Sequence, residues 1–481
     1  MRPVRRSLLL AYLLLAAPVA AQIPAAEYAA RRDTVAAHLG DGALLAFGAT
    51  APVTDESDFH QLPSFQWLTS YGRPDAAFLM VVRQGKPVYQ MLFEPKSDPR
   101  RLLYNGFPPD SAQLQRQSGL GLTNLDLLRP LLDTLLVALP LYVVTDLHSR
   151  DGTVSDSLTR GKRYVQQLEA GHAGLTPRSA DLLMDSLRVV KSSAEIALLR
   201  RAIAVSDDGH RAVMKMVKPG VNEAEVQTIF DYTIREEGAS GSSYHAIVGS
   251  GPNSTSYHYH ANDRVMPAGD VVVIDAGALY LGYAADITRT LPVSGKFTPD
   301  QAAIYRIVRA AQAAAESLAR PGMAVNAGDS AIRAVEGRAL AKLGLIESPE
   351  ATIDPPWADS SGCAQRPVRC RQAFLYMAHG PGHGIGLEVH DAGGYSYSPT
   401  GHFQEHEVFT IEPGVYISTV LLDMLPDTPR NRAFIAKVRP VVERYNNIGI
   451  RIEDDYLVTA DGVEWLSRAP RELEQVEAAM K

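Results

Sequence analysis

Val271-Val272-Val273-Ile274-Asp275-Ala276-Gly277, followed by Ala285-Asp286-Ile287-Thr288-Arg289-Thr290, sets two carboxylates against apolar runs. The pattern returns downstream. Ile411-Glu412-Pro413-Gly414 resembles Ile274-Asp275-Ala276-Gly277, and Arg451-Ile452-Glu453-Asp454 takes the place of Ala285-Asp286-Ile287-Thr288. The repeat predicts two similar halves, each giving two carboxylates, that meet across a pseudo-twofold axis. Val271 to Ile274 reads as a buried strand. A carboxylate at the end of such a strand is costly unless paired or bound to a cation. A glycine-containing turn lies between Asp275 and Asp286, so the strands around it can form a hairpin that brings both acids together. An ordinary pair of turn aspartates would look the same; the chemically similar second pair gives the first its weight.

Between the halves lies His379-Gly380-Pro381-Gly382-His383-Gly384-Ile385-Gly386-Leu387-Glu388-Val389-His390-Asp391. Its glycines allow close backbone approach to a ligand. Two histidines four apart suggest a zinc helix, but Gly-Pro-Gly disfavours a helix and the glutamate of His-Glu-x-x-His is missing. One metal-binding histidine, with others facing a substrate, fits better. Glu412 and Glu453 follow apolar residues and should be partly buried. Four buried carboxylates carry about four negative charges at neutral pH, which two divalent ions would neutralise and one would not. Four oxygen donors with one imidazole favour a hard or borderline ion, Mn²⁺ foremost, with Co²⁺, Zn²⁺ or Fe²⁺ as alternatives. His38, His60, His148 and His172 are scattered, and His402 and His406 read as a solvated loop.

At 481 residues the chain is long for one core, so two domains are expected. With 46% hydrophobic and 21% charged residues it is an ordinary globular composition, and a net charge of −7 argues against nucleic acid as the main partner. Arg2, Arg5 and Arg6, the short apolar run Ser7 to Ala17, and Val19-Ala20-Ala21 predict a signal peptide over 1–21, and hence export to the periplasm or beyond. An uncleaved anchor is the alternative; after cleavage no membrane insertion is expected. Cys363 and Cys370, close together, suggest one disulfide in an oxidising compartment. Residues 25–187 read as one α/β unit with strands Ala76–Val82, Val88–Phe93 and Val137–Val144, the first two joined by a turn over Arg83–Pro87. A boundary near Arg188 precedes a second unit, 188–481. Ser192-Ser193-Ala194-Glu195 and Thr298-Pro299-Asp300-Gln301 are capping boxes that open helices there. Lys218-Pro219-Gly220 and Arg320-Pro321-Gly322 close apolar helices.

These segments resemble the metallopeptidase family with the pita-bread fold, which includes methionine aminopeptidase, prolidase and Xaa-Pro aminopeptidase. Ile274-Asp275-Ala276-Gly277, Ala285-Asp286-Ile287-Thr288-Arg289-Thr290 and Gly449-Ile450-Arg451-Ile452-Glu453-Asp454-Asp455 are closest to the Xaa-Pro aminopeptidase and prolidase branch. Phe59-His60-Gln61 and Phe65-Gln66-Trp67-Leu68-Thr69 look like that branch's N-terminal domain. The resemblance implies an α/β (α+β) protein: a creatinase/aminopeptidase P-type N-terminal domain, then a pita-bread domain with pseudo-twofold duplication. It implies Asp275, Asp286, His383, Glu412 and Glu453 as ligands of two divalent metal ions. It implies His258, in Tyr257-His258-Tyr259, on the leaving-group side, His379 and His390 in contact with substrate, and Arg451 supporting the site. The implied reaction is hydrolysis of the bond before a proline in the second position, with Glu412 passing a proton to the leaving nitrogen, by a homodimer or homotetramer. An Xaa-Pro dipeptidase is the close alternative; a non-catalytic binding protein, or metal-free chemistry of the creatinase type, is the distant one. Residues 354–371 and 416–447 look like insertions that could reshape the substrate entrance.

Overall fold

The computed structural model describes residues 23–51, 59–96, 111–146, 160–356, 367–395 and 398–481, with positions 99, 100, 103, 363 and 365 besides. The expected signal peptide and His148 lie outside the described residues. Among the described residues no helix is long and apolar enough to cross a membrane.

Among the described residues the N-terminal unit is a six-stranded mixed sheet between helices. Its strands are β1 (Gly42–Phe47), β2 (Ala77–Arg83), β3 (Lys86–Glu94), β4 (Gly121–Asn124), β5 (Leu141–Val144) and β6 (Arg178–Ser179), in the order β4-β3-β2-β1-β5-β6. Alternation along β1 explains the layering. Leu44 and Ala46 face α1 (Ala25–Leu39), α2 (Pro63–Thr69) and α6 (Asp181–Val189), while Ala43, Leu45 and Phe47 face α4 (Leu128–Leu135) and α5 (Arg160–Gly171). Helix α3 (Ser111–Ser118) lies between β3 and β4 in the chain. The strand expected over Val137–Val144 is only Leu141–Val144: Val137 is 85% exposed in a turn, because Pro140 cannot donate to a ladder. The expected five-residue turn is the two-residue Gln84-Gly85, both at positive φ, as tight hairpins require.

The C-terminal unit begins with α7 (Ser193–Met216) and α8 (Glu223–Glu236), and its second half with α9 (Pro299–Glu316) and α10 (Asn326–Leu343). Capping boxes open three of the four: Ser192 with Glu195, Asn222 with Glu225, and Thr298 with Gln301. The apolar faces of these helices bury Leu199 and Ile203 of α7, and Ile304, Val308, Ala311 and Ala315 of α9.

The duplication is visible in the strands. In the first half β9 (Val271–Asp275) pairs antiparallel with β12 (Thr288–Pro292), and β10 (Ala278–Tyr280) with β11 (Tyr283–Ala284). In the second, β13 (Val408–Ile411) pairs with β16 (Asp454–Val458), and β14 (Gly414–Ile417) with β15 (Ile448–Arg451). Each half is one long hairpin bent in the middle, and all four acids sit at the bend. β7 (Gly241–Ser242), β8 (Ile247–Ser250) and β17 (Val463–Trp465) extend these sheets at their edges. The halves join where Thr288 and Glu453 exchange backbone hydrogen bonds.

The hairpin tips differ. β10 and β11 are joined by Leu281-Gly282, whose glycine is at φ +87° and has the side-chain amide of Gln66 of α2 packed where a Cβ would stand. β14 and β15 are joined by α11 (Thr419–Asp423) and α12 (Pro429–Arg444). The insertion expected from Tyr416 therefore starts after Ile417; Tyr416 is a strand residue. The two insertions pack on one another: Asp354 accepts from Thr428 and Arg430, and its backbone is held by Asn431. Cys363 and Cys370 form a disulfide, with Cα atoms 5.7 Å apart. A closing helix, α13 (Leu473–Ala479), packs against α7 and α9.

Candidate metal centre

The hairpin bends bring the expected ligands into one buried pocket. Asp286 precedes β12, Glu453 precedes β16, and His383 lies in the glycine-rich segment between the halves; one donor atom from each falls within 4.8 Å of the others. Measured from His383 Nε2, Asp286 Oδ2 is at 3.4 Å, Glu412 Oε1 at 3.6 Å and Glu453 Oε1 at 3.8 Å. Asp275 joins through Tyr244, whose hydroxyl contacts Asp275 Oδ1 and Asp286 Oδ1, each at 2.5 Å. Its other oxygen accepts from Arg451 at 2.5 Å.

The electrostatics of this cluster are those of acids with too little counter-charge. Burial, then the charge of Asp275, pushes Asp286 well above the usual carboxylate range. Burial, then Glu453, does the same to Glu412, and burial, then Asp286, to Glu453. Without counter-charge the pocket would have to take up protons. Glu453 Oε2 accepts from the Thr288 hydroxyl at 2.7 Å, yet Oε1 is buried with no hydrogen-bond partner. An orphaned buried carboxylate oxygen facing an imidazole and two further carboxylates fits divalent cations, which supply the missing charge and coordinate oxygen and nitrogen together.

Around the acids stand the other expected residues. Arg451, 3% exposed, donates to Asp275, to the Thr288 hydroxyl and to the Tyr416 hydroxyl, and so fixes the pocket from behind. The Tyr416 hydroxyl in turn lies 2.8 Å from His379 Nε2, and His379 Nδ1 lies 2.7 Å from the Gly380 carbonyl and 3.6 Å from Glu412 Oε2. Burial and Arg451 push the His379 imidazolium down to about 3, so the ring is neutral. The His390 ring meets His383 edge to face with centroids 4.2 Å apart. His258 is exposed, near Arg451 and Asp275; desolvation and Arg451 hold its pKa below the usual value. His38, His60, His402 and His406 are exposed, away from this cluster.

Tyr244, Thr288, Tyr416 and Asp455 also belong here, and sequence reasoning missed them. Asp455 accepts from the Asp286 backbone N–H. A signal existed for two of them: Thr288 follows Asp286 by two and Asp455 follows Glu453 by two, the spacing of one strand face. Nothing local marks Tyr244 or Tyr416.

A duplicated α/β half-domain whose hairpin bends gather acids around one imidazole defines a two-lobed protein with a candidate metal site at its centre. The comparisons give the family. Residues 197–460 match metallopeptidase family M24, and residues 28–136 match the aminopeptidase P N-terminal domain. The chain belongs to metallopeptidase family M24, in its aminopeptidase P and prolidase branch. It is 30% identical to the Xaa-Pro aminopeptidase of Escherichia coli K12, over 95% of this chain and 98% of that protein. It is 35% identical to the human Xaa-Pro dipeptidase, over 61% of this chain and 60% of that one. Proline aminopeptidase P II from Yersinia pestis superposes with a TM-score of 0.76 at 28% identity, covering 95% of this chain and 99% of that one.

Proposed function

We propose that the chain is an Xaa-Pro aminopeptidase in which Asp275, Asp286, His383, Glu412 and Glu453 hold two divalent cations, Mn²⁺ in the native enzyme. The observation that carries this reading is the pocket itself: four carboxylates and one imidazole from both halves, with Glu453 Oε1 buried and unpartnered. Held by these five residues, two cations would supply Lewis acidity for the scissile carbonyl and for an attacking water. The protein's own groups do the rest. Glu412, which reaches toward both His383 and His379, takes up a proton and passes it to the leaving nitrogen. A proline nitrogen carries no hydrogen in the peptide and departs only when protonated, so the bond breaks only once a proton reaches it. His390 steadies the oxygen that becomes negative. His258 borders the leaving side and the neutral His379 faces the substrate, with Tyr416 and Arg451 fixing the orientation of His379.

Removal of one residue before proline is favoured over cleavage of Xaa-Pro dipeptides because the aminopeptidase relatives match along nearly the whole chain, whereas the human dipeptidase matches over 61% of it. Parallel hydrolysis of an Xaa-Pro dipeptide and an Xaa-Pro-Xaa tripeptide with Mn²⁺ tests this. The expected result is tripeptide cleavage with release of the free N-terminal residue. Cleavage of the dipeptide alone makes the chain a dipeptidase, and a protein that retains no divalent ion and cleaves neither overturns the reading. Export to the periplasm or beyond, and assembly into a homodimer or homotetramer, complete the proposal. The Cys363–Cys370 disulfide supports the oxidising compartment.

A further inference from the structure

Arg188 stands in the last turn of α6, where the N-terminal unit ends, and its side chain is 3% exposed. One end of the guanidinium donates to the Ser64 hydroxyl of α2 and lies 3.8 Å from both Asp146 and Asp185. The other end donates to Asp391 Oδ1 at 2.5 Å and lies 3.4 Å from Glu388. Lys191, also buried, donates to Asp391 Oδ2 at 3.1 Å and to the Arg188 carbonyl at 2.6 Å. Both oxygens of Asp391 are thus held by cations that enter from the domain junction, and Asp391 directly follows His390.

The segment that carries His390 is closed on itself. Asp391 N–H donates to the Gly384 carbonyl, and Gly384 N–H to the Gly393 carbonyl. His383 immediately precedes this loop and His390 lies inside it. At Gly386 a Cβ would strike the Asp391 carboxylate and crowd Lys191 Nζ, so the loop is moulded around the ion cluster. Buried ion clusters add little net stability over apolar packing of the same volume, so stability alone does not account for this one.

We propose that Arg188 and Lys191 are positioning residues for catalysis, which clamp Asp391 and thereby hold the His390 imidazole at its station beside His383. The N-terminal unit then enters the chemistry through one carboxylate. This rests on the reading of His390 as a group that faces the reacting peptide.

The test is a kinetic cycle on an Xaa-Pro-Xaa tripeptide with Arg188→Met, His390→Ala and the double variant, each with bound metal measured. Arg188→Met should lower kcat about ten- to a hundredfold with KM within about threefold, the scale of a misplaced catalytic group. Bound metal should be unchanged. In the His390→Ala background the same substitution should leave kcat within about twofold, because the group it positions is gone. Equal losses in both backgrounds, or a loss that follows loss of metal, overturn the proposal. Arg188→Lys, which can still reach one Asp391 oxygen, should recover part of the rate; no recovery counts against it. Should Arg188→Met not fold, Lys191→Met takes its place, with the same pattern at smaller amplitude. A second readout needs no turnover: exchange of the His390 ring C2 hydrogen, followed by mass spectrometry, should quicken severalfold in Arg188→Met, and an unchanged rate refutes the clamp. If the wild type cleaves no Xaa-Pro peptide, the functional reading falls while this exchange still decides the positioning.

Discussion

Arg289 is a hub directly beneath Glu453, and its replacement by methionine should be among the most damaging single changes outside the pocket. The side chain is fully buried. It donates to the carbonyls of Pro470, Thr288, Glu453 and Ala469 at 2.7–2.9 Å, and to Asp454 Oδ1 at 2.6 Å. Methionine fills much of the volume but supplies none of the donors. Removing one partner of a buried ion pair costs about 3–5 kcal/mol. Asp454 keeps Arg471 and Gln312 at 3.0 and 2.9 Å, so the lower part of that range applies to the charge. The Thr288 and Glu453 carbonyls keep each other's backbone N–H, so the Pro470 and Ala469 carbonyls are the ones that lose a donor; at about 1 kcal/mol each they bring the loss to about 5 kcal/mol in all. For a unit of this size that corresponds to a fall of roughly 8 °C in Tm. Thermal unfolding at fixed metal concentration, followed by circular dichroism, measures it. Asp454→Asn, which weakens the same ion pair from the other side, should cost less in the Arg289→Met background than it does alone. A fall in Tm under about 3 °C, or fully additive losses in the double variant, would show that Arg289 is not the support described.

Other outcomes follow from the pocket and its surroundings. Asp286→Ala should abolish hydrolysis while the protein stays folded, and near-normal turnover would refute a site built on this acid. Tyr416→Phe removes the hydroxyl shared by His379 and Arg451; at about 1.5–3 kcal/mol for a bond to a charged group, kcat/KM should drop about ten- to a hundredfold. An unchanged value would remove Tyr416 from the machinery. Asp207 is buried, and burial pushes its carboxyl up to about 6 despite two backbone donors, Arg468 and Ala469. A raised folded-state value gives stability that is complete below the ordinary carboxylate value near ~3.9 and lost as pH rises through the folded one. Relative to Asp207→Asn, the wild type should therefore gain stability as pH is lowered from about 7 toward about 5. A difference in Tm that stays flat with pH contradicts this.

The parts of the fold written in local chemistry could be read before the structure. The helix starts at Ser192 and Thr298 declare themselves because cap and third residue satisfy each other within one turn. The third box, Asn222 with Glu225, was equally legible and was passed over. The acids could be found because each interrupts or ends an apolar strand, where an unpaired charge has no cheap explanation. What stayed hidden was relational. Tyr416 reads as another strand aromatic until its hydroxyl is seen between His379 and Arg451. Arg188 and Asp391 are separated by 203 positions, and no spacing rule joins them. Strand limits failed where one proline mattered, at Pro140, and the insertion was placed too early because Tyr416 and Ile417 gave no turn signal of their own.

A bent hairpin used twice has two tips, and the strands behind each tip carry apolar side chains that water would otherwise reach. This chain covers those side chains with unrelated material. Beside Gly282 lies the N-terminal unit, with Gln66 against the glycine and Tyr28 and Ile23 sharing a core with Tyr283, while Leu281 stays 48% exposed. Over β14 and β15 lie the chain's own inserted helices, with Leu422, Phe434, Val438 and Val442 in the same core as Val415 and Ile450. A whole preceding domain and a thirty-residue detour therefore serve as counterparts, roofs on opposite ends of one symmetric scaffold. Symmetry governs the acids at the centre, where charge must balance, and lapses at the ends, where any apolar cover will do.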